Sequence, residues 1–286
     1  GRIPGAFVSS GANKPGTTPE IRIRGNRSFS GGNAPLYVVD GIPVNDAITD
    51  INPSDIVSID VLKDASATAI YGSRGANGVI LVTTARGKVG EASVRYNAYY
   101  GITEVVRRAD IFNGEEFVQY MRGAGAAMKP TPRTDETLIF KDPIERESIA
   151  QGRYTDWQDM LIKNGHTQNH ELGISGGTEN TKYNLSLGYF DDEGYFAGQD
   201  YTRYTTHLNF DQNLGKRIKI GVSILGSYSE NNGAGYNPYG ASLINSPLGV
   251  PYDDEGKFKI YPINDPTMSN PLVGKEKDKF VNLEKR

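Results

Sequence analysis

The sequence lacks cysteine and lacks long apolar runs, and each absence excludes a class of protein. Disulfide frameworks and cysteine-ligated metal sites are excluded because none of the 286 residues is cysteine. No stretch approaches the roughly 18 consecutive apolar residues of a membrane-spanning helix, so a bundle of such helices is excluded, whereas alternating membrane strands are not. The formal net charge of −3 is close to balance and does not predict a nucleic-acid partner.

Glycine and tyrosine are frequent, and together they favour a β-rich chain with many turns. The sequence holds 34 glycines and 17 tyrosines, while only 37% of its residues are hydrophobic. It starts at Gly1 with neither an initiator methionine nor an export signal. We therefore expect a processed or truncated piece of a longer protein.

The first third of the chain predicts a small mixed α/β unit. Apolar and charged residues alternate in 20–24, as in a half-buried strand, and Asp40-Gly41 is a strong signal for a two-residue hairpin turn. Asn52-Pro53 predicts the start of a short helical turn. Further strands are predicted at Leu36–Val39, 58–62 and Val79–Thr84.

A helix followed by a glycine-rich loop is predicted between the last two of these strands. Asp64 can cap a helix over 65–71, and Gly72 is well placed as the residue that follows its end. The glycines of 72–78 raise the alternative of a phosphate-binding loop. Such loops lie before a helix, so that the positive helix N-terminus faces the anion, whereas this loop follows a helix. A nucleotide site is therefore not predicted.

The segment 62–80 carries the most specific pattern of the chain. It reads LKDASATAIYGSRGANGVI, and it resembles the plug signature of the SusC/RagA-type TonB-dependent transporters of Bacteroidota. Segments 21–25 and 36–43 resemble earlier plug motifs of that family, in the expected order and spacing. The resemblance implies an α+β plug domain in residues 1–88. It also implies that 89–286 form the N-terminal part of an antiparallel transmembrane β-barrel, which has about 22 strands in full.

The segments after the plug alternate apolar and polar residues in the way that barrel strands do. In one of them Leu185 and Leu187 share a face, while Asn184 and Ser186 share the other. A soluble antiparallel sheet with one wet face shows the same alternation, so the resemblance decides between the two. The predicted barrel strands lie near 92–102, 166–176, 181–191, 201–213 and 217–229.

The connections between these strands are of two lengths. Short ones at 176–182 and 214–216 are typical of periplasmic turns, and the long polar stretches 103–165 and 231–286 are typical of extracellular loops. The first long loop is predicted to contain helices at 115–128, capped by Asn113, and at 155–160.

Two groups of site residues are implied by the resemblance. Buried basic residues of such plugs pair with barrel carboxylates, and the matching positions are Arg24 and Lys63, with Arg74 as a further candidate. The alternative is an ordinary solvated charge at a strand end. Plug apices and the last loop would contact incoming substrate, against the alternative of exposed loops without such contacts. The residues implied for this role are Asn26, Arg27, Phe29, Asn45, Asp46, Tyr236 and Tyr239.

No catalytic arrangement and no cofactor are predicted. His166 and His170 share a strand face, but the sequence offers no third metal ligand near them. The acidic runs 191–193 and 253–256 are candidate Ca²⁺ sites in surface loops, and turn formation is the alternative. A glycosidase would need two facing carboxylates in a cleft, which the sequence does not indicate.

The resemblance implies active nutrient import at the outer membrane of a Gram-negative bacterium. A SusD-like surface lipoprotein would close over the channel, and TonB would pull on the plug through a segment that precedes these residues. The cargo implied is a glycan, an oligosaccharide or an oligopeptide. The alternative, from a different class, is a non-transporting surface binding module built on a truncated transporter. Further partners implied are outer-membrane lipid and the remaining barrel strands, whereas nucleic acid is not expected.

Overall fold

The computed structural model describes residues 6–9, 14–17, 20–23, 34–44, 51–62, 70–196, 198–232 and 237–273. These residues form three parts. The described residues up to 88 make a small α+β unit, called the plug region below. A five-stranded sheet, called the wall, stands beside it. Residues 104–164 and 237–273 cover one end of the wall and are called the outer unit.

The plug region is built on short strands. An antiparallel pair, β1 (Ala6–Ser9) and β2 (Glu20–Ile23), precedes a mixed sheet of β3 (Leu36–Val39), β4 (Ile42–Val44), β5 (Ile56–Leu62) and β6 (Val79–Thr84). In that sheet β6 lies between β3, to which it is parallel, and β5, to which it is antiparallel. β3 and β4 are joined by Asp40 and Gly41, whose φ angles of 49° and 91° give the two-residue turn that the sequence predicts.

The mixed sheet buries apolar side chains on both of its faces. Neighbouring residues such as Val38 and Val39 point to opposite faces, yet both are buried. This explains why β3 and β6 read as continuous apolar runs rather than as alternating ones. One cluster contains Ile23, Val39, Ile51, Ile80 and Val82, and the other contains Val38 and Val79 with Leu36, Leu62, Tyr71 and Leu81 packed against them.

Turn signals in the plug region have the predicted local structures. Asn52 accepts a backbone N–H at 3.1 Å and caps η1 (Pro53–Asp55), a single 3₁₀ turn. Gly72 has a φ of 62° directly after the helical residue Tyr71, in the left-handed conformation that ends a helix. The earlier part of the predicted helix, 65–69, lies outside the described residues.

The wall consists of β7 (Gly90–Thr103), β8 (Gly165–Gly177), β9 (Thr181–Glu193), β10 (Asp200–Leu214) and β11 (Ile218–Asn232). Each strand pairs antiparallel with its neighbour in sequence, so the sheet is a meander. All five predicted barrel strands are present, each slightly longer than predicted. Strands of 13 to 15 residues exceed the roughly 9–11 residues that a tilted strand needs to cross a bilayer.

The two faces of the wall differ in polarity. Large apolar side chains such as Ile224 and Tyr204 are about half exposed on one face, at 51% and 50% of their surface. The opposite face carries Asn184, His207 and Asn209, which are buried against the plug region. Apolar residues therefore point outward and polar residues inward, as the alternation predicts.

The connections predicted as extracellular loops contain several helices. The predicted helix after Asn113 is α1 (Gly114–Ala127), and the Asn113 and Glu116 side chains each accept the backbone N–H of the other residue. This reciprocal cap explains why the sequence locates its start to within one residue. The other helices are α2 (Glu136–Ile139), α3 (Pro143–Gln151), α4 (Trp157–Leu161) and α5 (Pro238–Ile244), of which the sequence predicts only α4.

The outer unit has an apolar core of its own, so its two segments pack as one piece. Trp157 is buried, and its Nε1 donates to the Ser246 carbonyl at 2.9 Å, while the Ser148 hydroxyl donates to the Leu248 carbonyl at 2.8 Å. No helix in the described parts of the chain is long and apolar enough to cross a membrane. One buried cluster is Trp157, Leu161 and Leu272 together with Phe196 of the connection between β9 and β10, and the other is Val118, Phe140 and Leu248.

Candidate functional site at the interface of the plug region and the wall

The inner face of the wall meets the plug region through polar side chains of β10. His207 and Asn209 lie two residues apart on that face, and only 3% and 4% of their surfaces are exposed. Buried polar groups of this kind are stable only where their hydrogen bonds are made inside the protein. Their partners come from the end of β6, which connects the plug region to the wall.

A hydrogen-bonded network joins the end of β6 to β10. The Thr84 N–H donates to Asp40 Oδ1 at 3.0 Å, and the Thr84 hydroxyl donates to the second carboxylate oxygen of Asp40. His207 Nε2 lies 3.3 Å from the Thr84 hydroxyl and 2.9 Å from Asn209 Nδ2. Asn209 Nδ2 also donates to the Ala85 carbonyl at 2.9 Å. The wall therefore binds both the side chain and the backbone of the residues that leave the plug region.

Asp55 of η1 lies on the other side of the imidazole, beyond hydrogen-bonding distance of it. Its carboxylate Oδ2 lies 3.8 Å from His207 Nδ1, and both side chains are buried. Burial raises the pKa of Asp55, an effect opposed by a hydrogen bond from Ser186 and by the neighbouring His207. The Asp55 carbonyl also accepts the Ala85 N–H at 2.8 Å. The network thus ties η1, the end of β6 and β10 into one polar contact.

Glycine lets the backbones of the plug region and the wall approach closely. A side chain on Gly188 of β9 would press against the Thr205 hydroxyl and would lie 2.9 Å from the Asn52 amide nitrogen. The backbone of Gly87 lies against the backbone of Tyr183 in the same way. These are positions where a Cβ would push the two parts apart, so glycine there serves packing.

A second polar contact lies on β8, beside the first. The Glu171 carboxylate is within hydrogen-bonding reach of the Asn52 and Ser54 side chains of the plug region. Asn52 thus caps η1 and also faces the wall at both Glu171 and Gly188. The cap that shapes the turn is therefore part of the interface.

A cavity of about 760 Å³ opens at the outer end of the wall, between the plug region and the outer unit. Its size is in the range of small-ligand pockets. Tyr239, one of the predicted substrate contacts, lines it together with Pro15 of the plug region. Tyr195, Phe196 and Tyr239 form a chain of tilted rings there, with centroids 4.6 Å and 6.0 Å apart. Charged side chains on its lining are Lys14, Glu104, Arg107, Arg108, Asp192 and Glu193.

Most of the predicted site residues fall where the structure gives no description. Of the described ones, Arg74 is an exposed residue of a short 3₁₀ turn (Gly72–Gly75), and its predicted pairing with a barrel carboxylate stays a prediction. Tyr239 lines the cavity at the outer end. The residues outside the described part of the chain are Arg24, Lys63, Asn26, Arg27, Phe29, Asn45, Asp46 and Tyr236.

The sequence does not single out the residues of the polar network. Asp40 belongs to a predicted hairpin turn, and Thr84 and Asn209 are ordinary positions of predicted strands. A usable signal is present in β10, where His207 and Asn209 occupy adjacent inward positions of a strand whose outward positions include Leu208 and Phe210. The sequence does not reveal which plug residues face them, because the contacting residues are more than 120 positions apart along the chain.

The candidate metal ligands have other contacts. His166 Nδ1 lies 2.8 Å from Glu193 and its ring stacks on Tyr100, while His170 Nδ1 lies 2.7 Å from the Tyr96 hydroxyl. Across the described residues, no group of three or more histidine or acidic side chains is arranged to hold a metal ion. In the run 253–256, Asp253 accepts the backbone N–H groups of Glu255 and Lys257, which is the contact of a turn. Ca²⁺ binding at the acidic runs stays a prediction.

Comparison with known proteins agrees with a plug beside barrel strands. The TonB-dependent Receptor Plug Domain family matches residues 1–79. The TonB-dependent receptor SusC of Bacteroides thetaiotaomicron is 36% identical over 218 residues, which cover 73% of this chain and 20% of that protein. The TonB-dependent receptor P3 of Formosa agariphila is 34% identical over 286 residues, which cover 96% of this chain and 26% of that protein.

A solved structure matches the fold of nearly the whole chain. The RagAB peptide importer in its closed-closed state superposes with a TM-score of 0.75 at 27% identity, over 96% of this chain and 34% of that chain. In sequence and in fold the chain matches part of the SusC/RagA-type TonB-dependent transporters. It spans about a fifth to a quarter of the length of these curated relatives. This SusC/RagA-type chain is thus related to transporters rather than to enzymes.

Proposed function

We propose that the full protein imports a nutrient across the outer membrane by a TonB-dependent mechanism. The observation that carries this proposal is the arrangement of the wall, which holds a plug on its polar face and exposes apolar residues on the other. A folded unit seated on the polar side of a strand wall can block a channel until it is displaced. The proposed division is a plug of residues 1–88 and the first barrel strands in 89–286.

The outward face of the wall has the features expected of a lipid contact. Aromatic rings form a row across adjacent strands, where Tyr189 pairs with His170 and with Tyr204, and Tyr204 pairs with Tyr228. On β11 the outward positions from Ile218 to Tyr228 carry no charge. These ten residue steps measure about 34 Å along the strand, or about 26 Å at a tilt of about 40°. This height matches the apolar band of outer-membrane barrels, about 25 Å.

The cavity at the outer end is the proposed entry point for cargo. It combines aromatic rings with charges of both signs, which suits an oligopeptide or an oligosaccharide. The similarity to the RagAB peptide importer supports the oligopeptide, and an oligosaccharide is the alternative cargo. By the same similarity, we propose that a SusD-like surface lipoprotein closes over the outer unit and that TonB acts on the plug.

Uptake in cells tests this function. Deleting the gene from its natural host should abolish uptake of labelled oligopeptides or oligosaccharides, and dissipating the proton-motive force should do the same in the wild type. Surface binding of these ligands without energy-dependent uptake would contradict import and would support a non-transporting binding module.

A matched pair of variants tests the cavity. Tyr239→Ala should weaken uptake at low substrate concentration, because it removes an aromatic ring from the cavity lining. Tyr261→Ala is the control, since Tyr261 is similarly exposed, at 44% against 40%, and lies outside the cavity lining. Equal uptake by the two variants would contradict the proposed entry point.

A further inference from the structure

A second cavity, of about 1550 Å³, lies within the outer unit. Residues of the segment 108–120 line one part of it, and residues 243–247 line another. Arg108 also lines the cavity of about 760 Å³ that we propose as the entry point, so the two cavities adjoin. The second cavity is larger than the roughly 1,000 Å³ at which small-molecule pockets end, and it has room for several units of an oligomer.

Exposed aromatic rings line this second cavity. Phe112 and Tyr120 have 52% and 57% of their surfaces exposed, and their rings stack with centroids 5.2 Å apart. Ile111 and Ile244, on the same lining, are exposed as well. A group of exposed apolar side chains on a unit that faces water marks a site of interaction. The stacked rings are therefore a surface that a ligand can cover.

A carboxylate lies beside the rings on α1. Glu116 and Tyr120 are four residues apart and so share one side of the helix. Phe112, which stacks on Tyr120, precedes the helix cap Asn113 directly. Glu116 accepts the Asn113 N–H at 3.0 Å, and this bond fixes the carboxylate near the rings. The arrangement places a negative charge next to aromatic faces.

The charge of the whole lining is unbalanced. Arg108 is the one cation among the described residues of this lining, and it pairs with Asp159, which lies outside the lining, at 3.0 Å. The acidic residues of the lining are Asp110, Glu115, Glu116, Glu145 and Asp156. Carboxylates gathered in a cavity attract a positively charged ligand.

We propose that the second cavity binds a cationic stretch of an oligopeptide cargo, which rests on the import proposed above. An arginine or lysine side chain of the cargo stacks on the rings of Phe112 and Tyr120, and its charge lies beside Glu116. Cations are attracted to aromatic faces, and a carboxylate next to the ring adds a charge-assisted hydrogen bond. An uncharged oligosaccharide would also stack on these rings but would gain no Coulomb attraction from the acidic lining.

Titration calorimetry on the purified full-length protein in a neutral detergent tests this site. The probe is an octapeptide of alternating arginine and alanine, and the matched peptide carries glutamate in place of arginine. The arginine peptide should bind roughly tenfold more tightly than the glutamate peptide, and added salt should weaken its binding. Maltoheptaose, an uncharged oligosaccharide, should bind more weakly than the arginine peptide.

Variants of the lining locate the binding. Tyr120→Ala should weaken binding of the arginine peptide about threefold, the ratio ordinary for one exposed cation–π contact. Tyr261→Ala is its control, because that ring is exposed outside the lining. Glu115→Lys reverses an exposed charge of the lining and should weaken binding about fivefold. Glu147→Lys is the control with the same change of net charge, since Glu147 is exposed on α3 and does not line the cavity.

Three results would overturn the site. They are equal binding of the two peptides, tighter binding of maltoheptaose than of the arginine peptide, and lining variants that bind like their controls. Binding is read without uptake. A protein that selects the arginine peptide but does not import it would therefore refute the proposed import alone, and one that imports peptides without regard to charge would refute the cationic site alone.

Discussion

The wall and the outer unit belong to one chain but follow opposite rules of burial. The outer unit buries Trp157, Phe140 and Leu248 completely or nearly so, as a protein in water does. The wall buries His207 and Asn209 and leaves Ile224 half exposed. The difference shows that the surroundings of each region determine which side chains it buries. Water covers the outer unit, whereas we propose that lipid covers the outward face of the wall and that the plug covers its inward face.

The largest effect is expected from removing a buried apolar side chain of the outer unit. Trp157→Ala removes a buried ring and its hydrogen bond to Ser246, and should cost about 3–5 kcal/mol of local stability. Hydrogen exchange of 237–273 in the full-length protein should then accelerate. Ile244→Ala is the control, because that side chain is 64% exposed. Equal acceleration by both variants would show that Trp157 does not join the two segments.

Charge on the outward face tests the proposed lipid contact. Ile224→Arg should destabilise folding into bilayers by about 2–4 kcal/mol, the cost of arginine near the membrane midplane. Ser223→Arg, on the adjacent inward position, is the matched control and should cost little. If the two variants unfold at the same denaturant concentration, the outward face does not lie in lipid.

Close approach at the plug interface predicts a smaller effect. Gly188→Val forces its side chain against Thr205 and Asn52, and should cost about 1–3 kcal/mol, as overpacking usually does. The expected readout is looser plug seating, seen as faster proteolysis of the plug region. Gly101→Val is the control, since a Cβ there meets only the Thr167 carbonyl at 3.9 Å. Unchanged proteolysis of Gly188→Val would contradict a tight interface at this point.

The smallest effect concerns pH in the outer unit. Burial raises the pKa of Glu145, so the folded state binds a proton more tightly than the unfolded one. The outer unit is therefore expected to lose stability as pH rises from the ordinary pKa of glutamate through the higher pKa of Glu145 in the folded protein. Glu145→Gln keeps an acceptor for the Ser246 hydroxyl, 2.8 Å away, and should remove this pH dependence. Hydrogen exchange of 237–273, corrected for intrinsic rates, measures it. A variant as pH-dependent as the wild type would exclude Glu145 as the source.

Local signals made a large part of the fold predictable. The Asp40-Gly41 turn, the Asn113 cap and the strict alternation of β9 and β10 each act within a few residues, so the sequence alone reveals them. Helices α2 and α5 were missed, since each is at most seven residues long and shows too little periodicity to detect. For α3 a signal was present in Asp142 followed by Pro143, a cap before a first-turn proline.

Pairings across the fold were not predictable in the same way. Thr84 meets His207 only because the chain crosses from β6 into β7 and the meander returns β10 to the same place. The resemblance implies basic plug residues at the interface, whereas in the described interface a plug carboxylate, Asp55, lies 3.8 Å from His207 of the wall. Such contacts depend on strand register, which no single segment encodes.

By itself the sequence determined the class of protein, the strand segments and which face of each strand is apolar, because period-two alternation and plug motifs are local properties. Only the tertiary structure decided that the long loops pack around Trp157 and that the plug rests on His207 and Asn209. The physical reason is that burial gives these groups their role. A buried histidine must find its partners inside the protein, and the fold alone chooses them.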